Sequence, residues 1–415
     1  MKKLFIFTGK IIAGIIILSG IILLGLYLAM PKSPAPPKII NNTGEIDDYF
    51  KKITDNQTPP AISITVLKKG DTVYSKAFGY ADGPEKIPAD TGTIYPWWSV
   101  TKIFTATAIM QLYEKGKLSL NDPLKKYIPD FEVRDKNGVE KTITIHQLLT
   151  HSSGLKDLMP DGLFWIRLAG KPKPNQTDFL KKKITGKFRI LKFEPGTKAS
   201  YTNIGYIALG VVIEAITGME YEEYIFKNIL NPLNMNNTSF VRNKEQQAKT
   251  AIGSNPVINI FTGLLCVFGN KDIFKTYTRE TSNRRIWFKP LYTDYTPSTG
   301  LSGTSEEMAR FAQVFLQGGV FKGQHILNRE TVTMMFTPYN LDELGKSYND
   351  EKYGLGWKVW KVNDRIVYGH GGGGPGFGAL LAIIPERKLV IAINANDTNI
   401  NRDELLRMLA SFKWE

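Results

Sequence analysis

Twenty consecutive positions, Ile11 to Met30, carry no charge and are dominated by Ile and Leu. At about 1.5 Å per residue a helix of that length matches a hydrocarbon core of roughly 30 Å, so the pattern predicts a transmembrane anchor over 11–30. A cleavable signal peptide is the alternative. Its apolar core usually runs only about 7 to 15 residues and ends in a small-x-small site, whereas here Pro31 follows the run directly. Lys2, Lys3 and Lys10 precede the span, which keeps residues 1–10 in the cytoplasm and places the rest on the far side of the membrane. Residues 31–45 open with PKSPAPPK, four prolines in eight positions, and read as a semi-rigid linker.

Beyond the linker the periodicity drops to two. Ala61 to Leu67 and Thr72 to Phe78 are β-branched runs around Lys69-Gly70-Asp71, which predicts a hairpin. Ser99 to Lys115 then places apolar residues at 103, 104, 108, 109 and 112, a helical spacing that stops at Gly116. Helical patterns follow over Ile145 to Thr150, Asn203 to Thr217 (ending at Gly218) and Tyr221 to Leu230. After about residue 297 comes one more helix, Ser305 to Leu316. Strands close the chain: Trp357 to Val362 and Arg365 to Tyr368 around Asn363-Asp364, Gly378 to Ile384, and Leu389 to Asn394. β-rich ends thus enclose a helical middle. The predicted fold is α/β: one domain over 46–415, an antiparallel sheet built from both chain ends and flanked by helices, with a helical insertion lobe over about 120–295. Residues 241–292 fit no element, although Ile258 to Phe268 is apolar.

Composition narrows the chemistry. With 42% hydrophobic and 22% charged residues the chain is globular in type. Its one cysteine, Cys266, excludes an internal disulfide and any thiolate cluster. The histidines, His146, His151, His325 and His370, form no i, i+4 pair, so neither a metal nor a cofactor is expected. The net charge of +14 invites a nucleic-acid partner, but the surplus is local. Lysines flanking the apolar run supply +5 and residues 163–192 supply +8, leaving +1 elsewhere. That distribution argues against nucleic acid, whose enzymes carry charge around their chemistry. The second cluster (Arg167, Lys171, Lys173, Lys181, Lys182, Lys183, Lys187, Arg189, Lys192) suits either a solvated face or contact with anionic lipid or cell-wall polymer.

Three motifs are candidates for chemistry. Ser99-Val100-Thr101-Lys102 opens a predicted helix, where i, i+3 spacing puts the lysine on the serine's face and the helix N-terminus favours an alkoxide over an ammonium. Chance alone supplies a second copy, Ser153 to Lys156, in a helix-ending turn. Tyr201-Thr202-Asn203 precedes another helix; a tyrosine near a lysine can relay a proton and an asparagine can orient lysine and substrate, while a buried tyrosine beside a helix cap is the plain alternative. Gly369 to Gly376, containing His370, lets a substrate lie against backbone, and an N–H there can join that of Ser99 in an oxyanion hole. No Gly-Lys-Ser/Thr closes it as a phosphate loop, and Gly300-Leu301-Ser302-Gly303-Thr304 is not a Gly-x-Ser-x-Gly elbow.

Taken in order, the three motifs resemble those of the serine β-lactamase and penicillin-binding-protein-like superfamily, in the branch of class C β-lactamases, D-Ala-D-Ala carboxypeptidases and related esterases. Leu148 to Leu155, Phe193 to Gly196, Ser200 to Tyr206, Gly300 to Thr304, Tyr353 to Trp357 and Gly369 to Phe377 also resemble its signatures, covering about residues 55 to 397. The resemblance implies a β-lactamase-like fold with Ser99 as acyl-accepting nucleophile, Lys102 as its proton partner and Tyr201 as the base that also serves the leaving group. Asn203 would position the substrate, and Gly372 and Gly373 would form the strand edge beside the acyl group. His370 stands where many β-lactamases of this branch carry lysine; with an ordinary pKa of about 6.5 it should titrate near neutrality, and as a neutral ring it would hold a carboxylate weakly. The expectation is a membrane-anchored, extracytoplasmic serine hydrolase of bacterial type. It would act through an acyl-enzyme on a small-molecule or peptide substrate: a D-amino-acid peptide, an ester or a related acyl compound. A binding or sensor module on the same fold, and a true β-lactamase, are the alternatives.

Overall fold

The computed structural model describes residues 18–21, 24–25, 32–157, 165–257, 259, 275–339 and 351–415. The first alternating runs form a hairpin, β1 (Ala61–Lys68) and β2 (Asp71–Asp82). Lys69 and Gly70 between them both have positive φ, as a two-residue primed turn demands. The other strands of the main sheet are β3 (Ile87–Pro88), β4 (Lys352–Tyr353), β5 (Lys358–Val362), β6 (Arg365–Gly374), β7 (Phe377–Ile384) and β8 (Leu389–Ala395). Their spatial order is β4-β5-β6-β7-β8-β1-β2-β3, antiparallel throughout. β1 from the start of the domain pairs with β8 from its end, Ile62 opposite Ala395 and Lys68 opposite Leu389, so both chain ends build the sheet.

Six helices support the sheet and the site: α1 (Thr43–Asp55), α2 (Thr101–Glu114), α3 (Ile145–Leu149), α4 (Asn203–Thr217), α5 (Ser305–Leu316) and α6 (Arg402–Ser411). Period-two alternation sorts the sheet's side chains onto two faces. Leu380, Ala382 and Ile384 of β7 join the core beneath α1 and α6, while Ala379, Leu381 and Ile383 join the larger core beneath α5 and α2. α1 starts at Thr43, within the stretch read as linker, because Asn42 caps it by accepting from the Glu45 N–H. α2 differs from its amphipathic reading: every residue from Thr101 to Leu112 is buried, so it is a central helix packed on all sides. α4 stops as predicted, at Gly218 with φ +68.

The lobe is less helical than its pattern suggests. Ile166–Leu168 pairs with Leu291–Thr293, and Arg285–Phe288 runs between Ser254–Pro256 and Thr278–Ser282. Strands this short show no alternation, and their partners lie as much as 127 residues away, so local pattern could not announce them. The basic segment also differs from a single solvated face. Arg167 is 9% exposed and pairs with Asp294 at 3.1 Å; Lys173 meets Glu220 and Glu222, and Lys181 meets Asp130. Distant acids thus neutralise part of the cluster.

Among the described residues no single helix is long and apolar enough to cross a membrane; α4 with Tyr221–Leu230 qualifies only as a pair bent by 80°, and α4 is largely core. The span read over 11–30 falls mostly outside the described residues, as do Cys266 and nearly all of 258–268.

Candidate active site

The chain reaches α2 through a single 3-10 turn, Trp98–Val100, with Trp98 at φ +48, an uncommon conformation for a bulky residue. This turn lifts Ser99 to a partly open position and sends Lys102 into the interior, where it is 0% exposed. β6 runs beside it. A Cβ on Gly372 would lie 2.0 Å from the Trp97 carbonyl oxygen and 3.3 Å from the Ser99 nitrogen. Only glycine permits that approach, so the residue reads as a spacing device for the strand edge next to Ser99. β6 continues past Tyr368 through the whole glycine run because Gly371, Gly372 and Gly373 pair with Leu380, Ala379 and Gly378.

Tyr201 arrives on the loop before α4. That loop is clamped by His151, whose carbonyl accepts from the Ser200 N–H (2.8 Å) and whose Nδ1 accepts from the Thr202 N–H (3.2 Å). His151 is therefore a structural acceptor. The second Ser-x-x-Lys does not assemble: Ser153 is fully buried and its Oγ accepts from the Leu155 N–H.

Lys102 Nζ sits within 3.3 Å of Ser99 Oγ, 2.8 Å of Asn203 Oδ1, 3.0 Å of the Ser298 carbonyl oxygen and 3.2 Å of Ser298 Oγ. Both carbonyl-type oxygens accept only, and Ser298 Oγ gives its own proton to Asn203 Oδ1 at 2.8 Å. A neutral amine spends its two N–H groups on those oxygens and keeps its lone pair for the Ser99 hydroxyl. The amine is accessible at physiological pH, because burial lowers the Lys102 pKa to about 7, with Lys358 pushing the same way and Asp157 opposing. Lys358, on β5, is paired with Glu351 at 2.5 Å.

The other two groups are uncharged. Tyr201 keeps part of its surface accessible, yet burial of its hydroxyl raises the pKa well above 10, and a hydrogen bond with Ser99 offsets only part of this. It is a phenol, a proton donor, in the resting site. His370 is 2% exposed and lies 6.0 Å from the Tyr201 ring. Burial, together with Lys358 and Lys102, holds it well below its usual pKa. This corrects the expectation that His370 titrates near neutrality. Its Nδ1 meets the Gly371 carbonyl oxygen at 2.7 Å, which assigns the proton to Nδ1 and leaves Nε2, buried and unpartnered, as an acceptor.

Ser99, Lys102, Tyr201, Asn203, His370 and Gly372 are thus brought together from segments as far apart as residues 99 and 372, and Gly373 follows on the same strand. Three neighbours escaped the motif reading: Ser298, Asp157 and Lys358. Lys358 directly follows one recognised signature, at Trp357, and Asp157 lies two residues beyond another, at Leu155, which is the signal that could have found them; Ser298 had none. Among the described residues no group of acidic, histidine and cysteine side chains could hold a metal.

The family model Beta-lactamase matches residues 46–410. Protein flp of Staphylococcus aureus strain MRSA252 is 34% identical over 221 residues, 52% of this chain and 42% of that one, so the chain spans less than half of that relative's length. A putative D-alanyl-D-alanine carboxypeptidase of Escherichia coli K12 is 27% identical over 317 residues, 72% of this chain and 68% of its own. Among solved structures, the octameric penicillin-binding protein homologue from Pyrococcus abyssi superposes with a TM-score of 0.70 at 28% identity, over 89% of this chain and 77% of that one.

Proposed function

This chain belongs to the beta-lactamase family, and on that premise we propose that it is a serine hydrolase that forms an acyl-enzyme on Ser99. The carrying observation is a buried lysine, its pKa lowered by burial to about 7, within 3.3 Å of the serine hydroxyl. In the first step Lys102 takes the Ser99 proton as Oγ attacks the acyl carbon. The backbone N–H of Ser99 and one from β6 stabilise the oxyanion. Tyr201, already a phenol, gives its proton to the leaving amine or alcohol, so the acid role falls to it and the base role to Lys102. The proton held by Lys102 then restores the Tyr201 phenol, and water attacks the ester, giving one proton by way of Lys102 to Ser99 Oγ as the acid is released and the serine restored.

The substrate class is a D-amino-acid peptide, an ester or a related acyl compound. The name of the Escherichia coli relative supports the first. An uncharged His370 supports these over β-lactams recognised through a carboxylate. The domain would stand outside the cytoplasm on an anchor over 11–30, supported by that run's length and flanking lysines; a mature N-terminus beyond residue 30 in native membranes would sink the anchor. For the chemistry, Ser99→Ala should abolish turnover and labelling by a fluorophosphonate, while Ser153→Ala leaves both intact. Lys102→Ala and Tyr201→Phe should each cost about 10² to 10⁴-fold in rate. Adduct mass on another serine refutes the mechanism and returns the chain to a binding module.

A further inference from the structure

No motif gives a role to Asp157, which directly follows the second Ser-x-x-Lys. It ends a ladder of hydrogen bonds that staples residues 151–157 to 200–203. After the two bonds made by His151 come Thr202 Oγ1 to the Lys156 carbonyl (3.5 Å) and the Asn203 N–H to Asp157 Oδ1 (2.9 Å). The same carboxylate accepts from Asn203 Nδ2, at 3.3 Å to Oδ1 and 3.4 Å to Oδ2. An asparagine amide has two orientations that exchange oxygen and nitrogen. With Nδ2 on the carboxylate, Oδ1 faces Lys102 Nζ and Ser298 Oγ, both at 2.8 Å and both with protons to give. Turned over, the amide would aim donors at donors and its oxygen at an anion.

We propose that Asp157 is a positioning residue: by locking the Asn203 amide it fixes where the Lys102 N–H groups point and so turns the amine lone pair onto Ser99. The proposal rests on the reading of Ser99 as the acylated nucleophile. The carboxylate also acts through space. Facing the lysine are Asp157 itself, Lys358 on β5, the neutral rings of His151 and His370, and the phenols of Tyr201 and Tyr206, while the phenol of Tyr295 faces Asp157. Among these charges Asp157 favours the ammonium and Lys358 the amine.

Asp157→Asn keeps an acceptor oxygen for the Asn203 N–H but removes the charge and adds a competing donor. In the full-length protein the acid limb of kcat/KM, set by Lys102, should move down by about one pH unit, and kcat should fall at least about tenfold as the lone pair loses its aim. Asp157→Glu keeps the charge on a longer arm, so its midpoint should stay near 7 while kcat falls. The same titration can be followed without turnover, by carbon-13 resonances of labelled lysine Cε, with the Lys102 signal assigned by its loss in Lys102→Met. A shift in that signal from a protein that turns over no substrate supports the coupling and removes the hydrolase reading instead. A folded Asp157→Asn protein whose Lys102 midpoint is unmoved, or a Glu variant whose midpoint shifts as far as the Asn variant's, overturns the proposal.

Discussion

Lys102 gathers four polar contacts in a place with no water-facing surface, and its charge is decided there by burial rather than by any single partner. A base with a pKa of about 7 gives a definite pH profile. Below that value the lysine is an ammonium and cannot take the Ser99 proton; above it the amine is free. Hence kcat/KM should rise with pH through about 7 and then level off. On the alkaline side Tyr201 adds no nearby limb, since its phenol is held well above 10. His370 and His151 are both held well below their usual range, so neither contributes near neutrality. His370→Gln should therefore leave the midpoint in place even where it lowers the rate. A pH–rate profile whose acid limb vanishes in that variant would assign the titration to the imidazole.

Among the elements, β6 and the turn before α2 work as a pair, because the strand touches the backbone of Trp97 through the face of Gly372. A methyl group there would meet a carbonyl oxygen at 2.0 Å, and neither partner is a side chain that could swing away. The strand or the Ser99 turn must shift, and about 1 Å of misplacement costs on the order of 10²-fold in rate. Gly372→Ala should show that loss with an unchanged circular dichroism spectrum. Gly371→Ala is the control: its Cβ would find nothing nearer than Arg402 Nε at 3.7 Å, an ordinary contact. Equal activity losses in the two variants, measured with the same ester, would mean that the glycine run matters for flexibility and not for spacing.

Across the whole molecule, distant parts of the chain are joined at one buried ion pair. Arg285 Nη2 meets Asp397 Oδ2 at 2.5 Å, both residues being 5% exposed in their side chains. The same guanidinium donates to Ser254 Oγ at 3.0 Å and to the Gln57 carbonyl at 2.8 Å. Residues beside the first strand, inside the lobe and after the last strand thereby share one charge. Removing one partner leaves the other buried without compensation, which typically costs about 3–5 kcal/mol. Asp397→Ala should lower the melting temperature by several degrees in a thermal scan, and a midpoint within a degree of the parent would show that water or a neighbour replaces the carboxylate.

The long strands of the main sheet and the helices α2, α4 and α5 were legible in the chain because each buries one face, or both, in a regular rhythm, and that rhythm is written locally; α1, α6 and the two-residue edge strands β3 and β4 were not read. Ser99, Lys102, Tyr201, Asn203, His370 and Gly372 were legible for another reason: their types and order resemble a known set of motifs. Local pattern was silent on the three- to five-residue strands of the lobe, whose stability comes from partners far along the chain. It was equally silent on charge. Residue types announced a tyrosine and a histidine with their ordinary pKa values, and a lysine whose ammonium only its place at a helix start disfavoured. Burial decided that the lysine exchanges its proton at about pH 7, while the tyrosine stays a phenol and the histidine a neutral ring. Protonation depends on how much water is displaced and which charges converge, and neither exists until segments hundreds of residues apart have packed around the same few atoms.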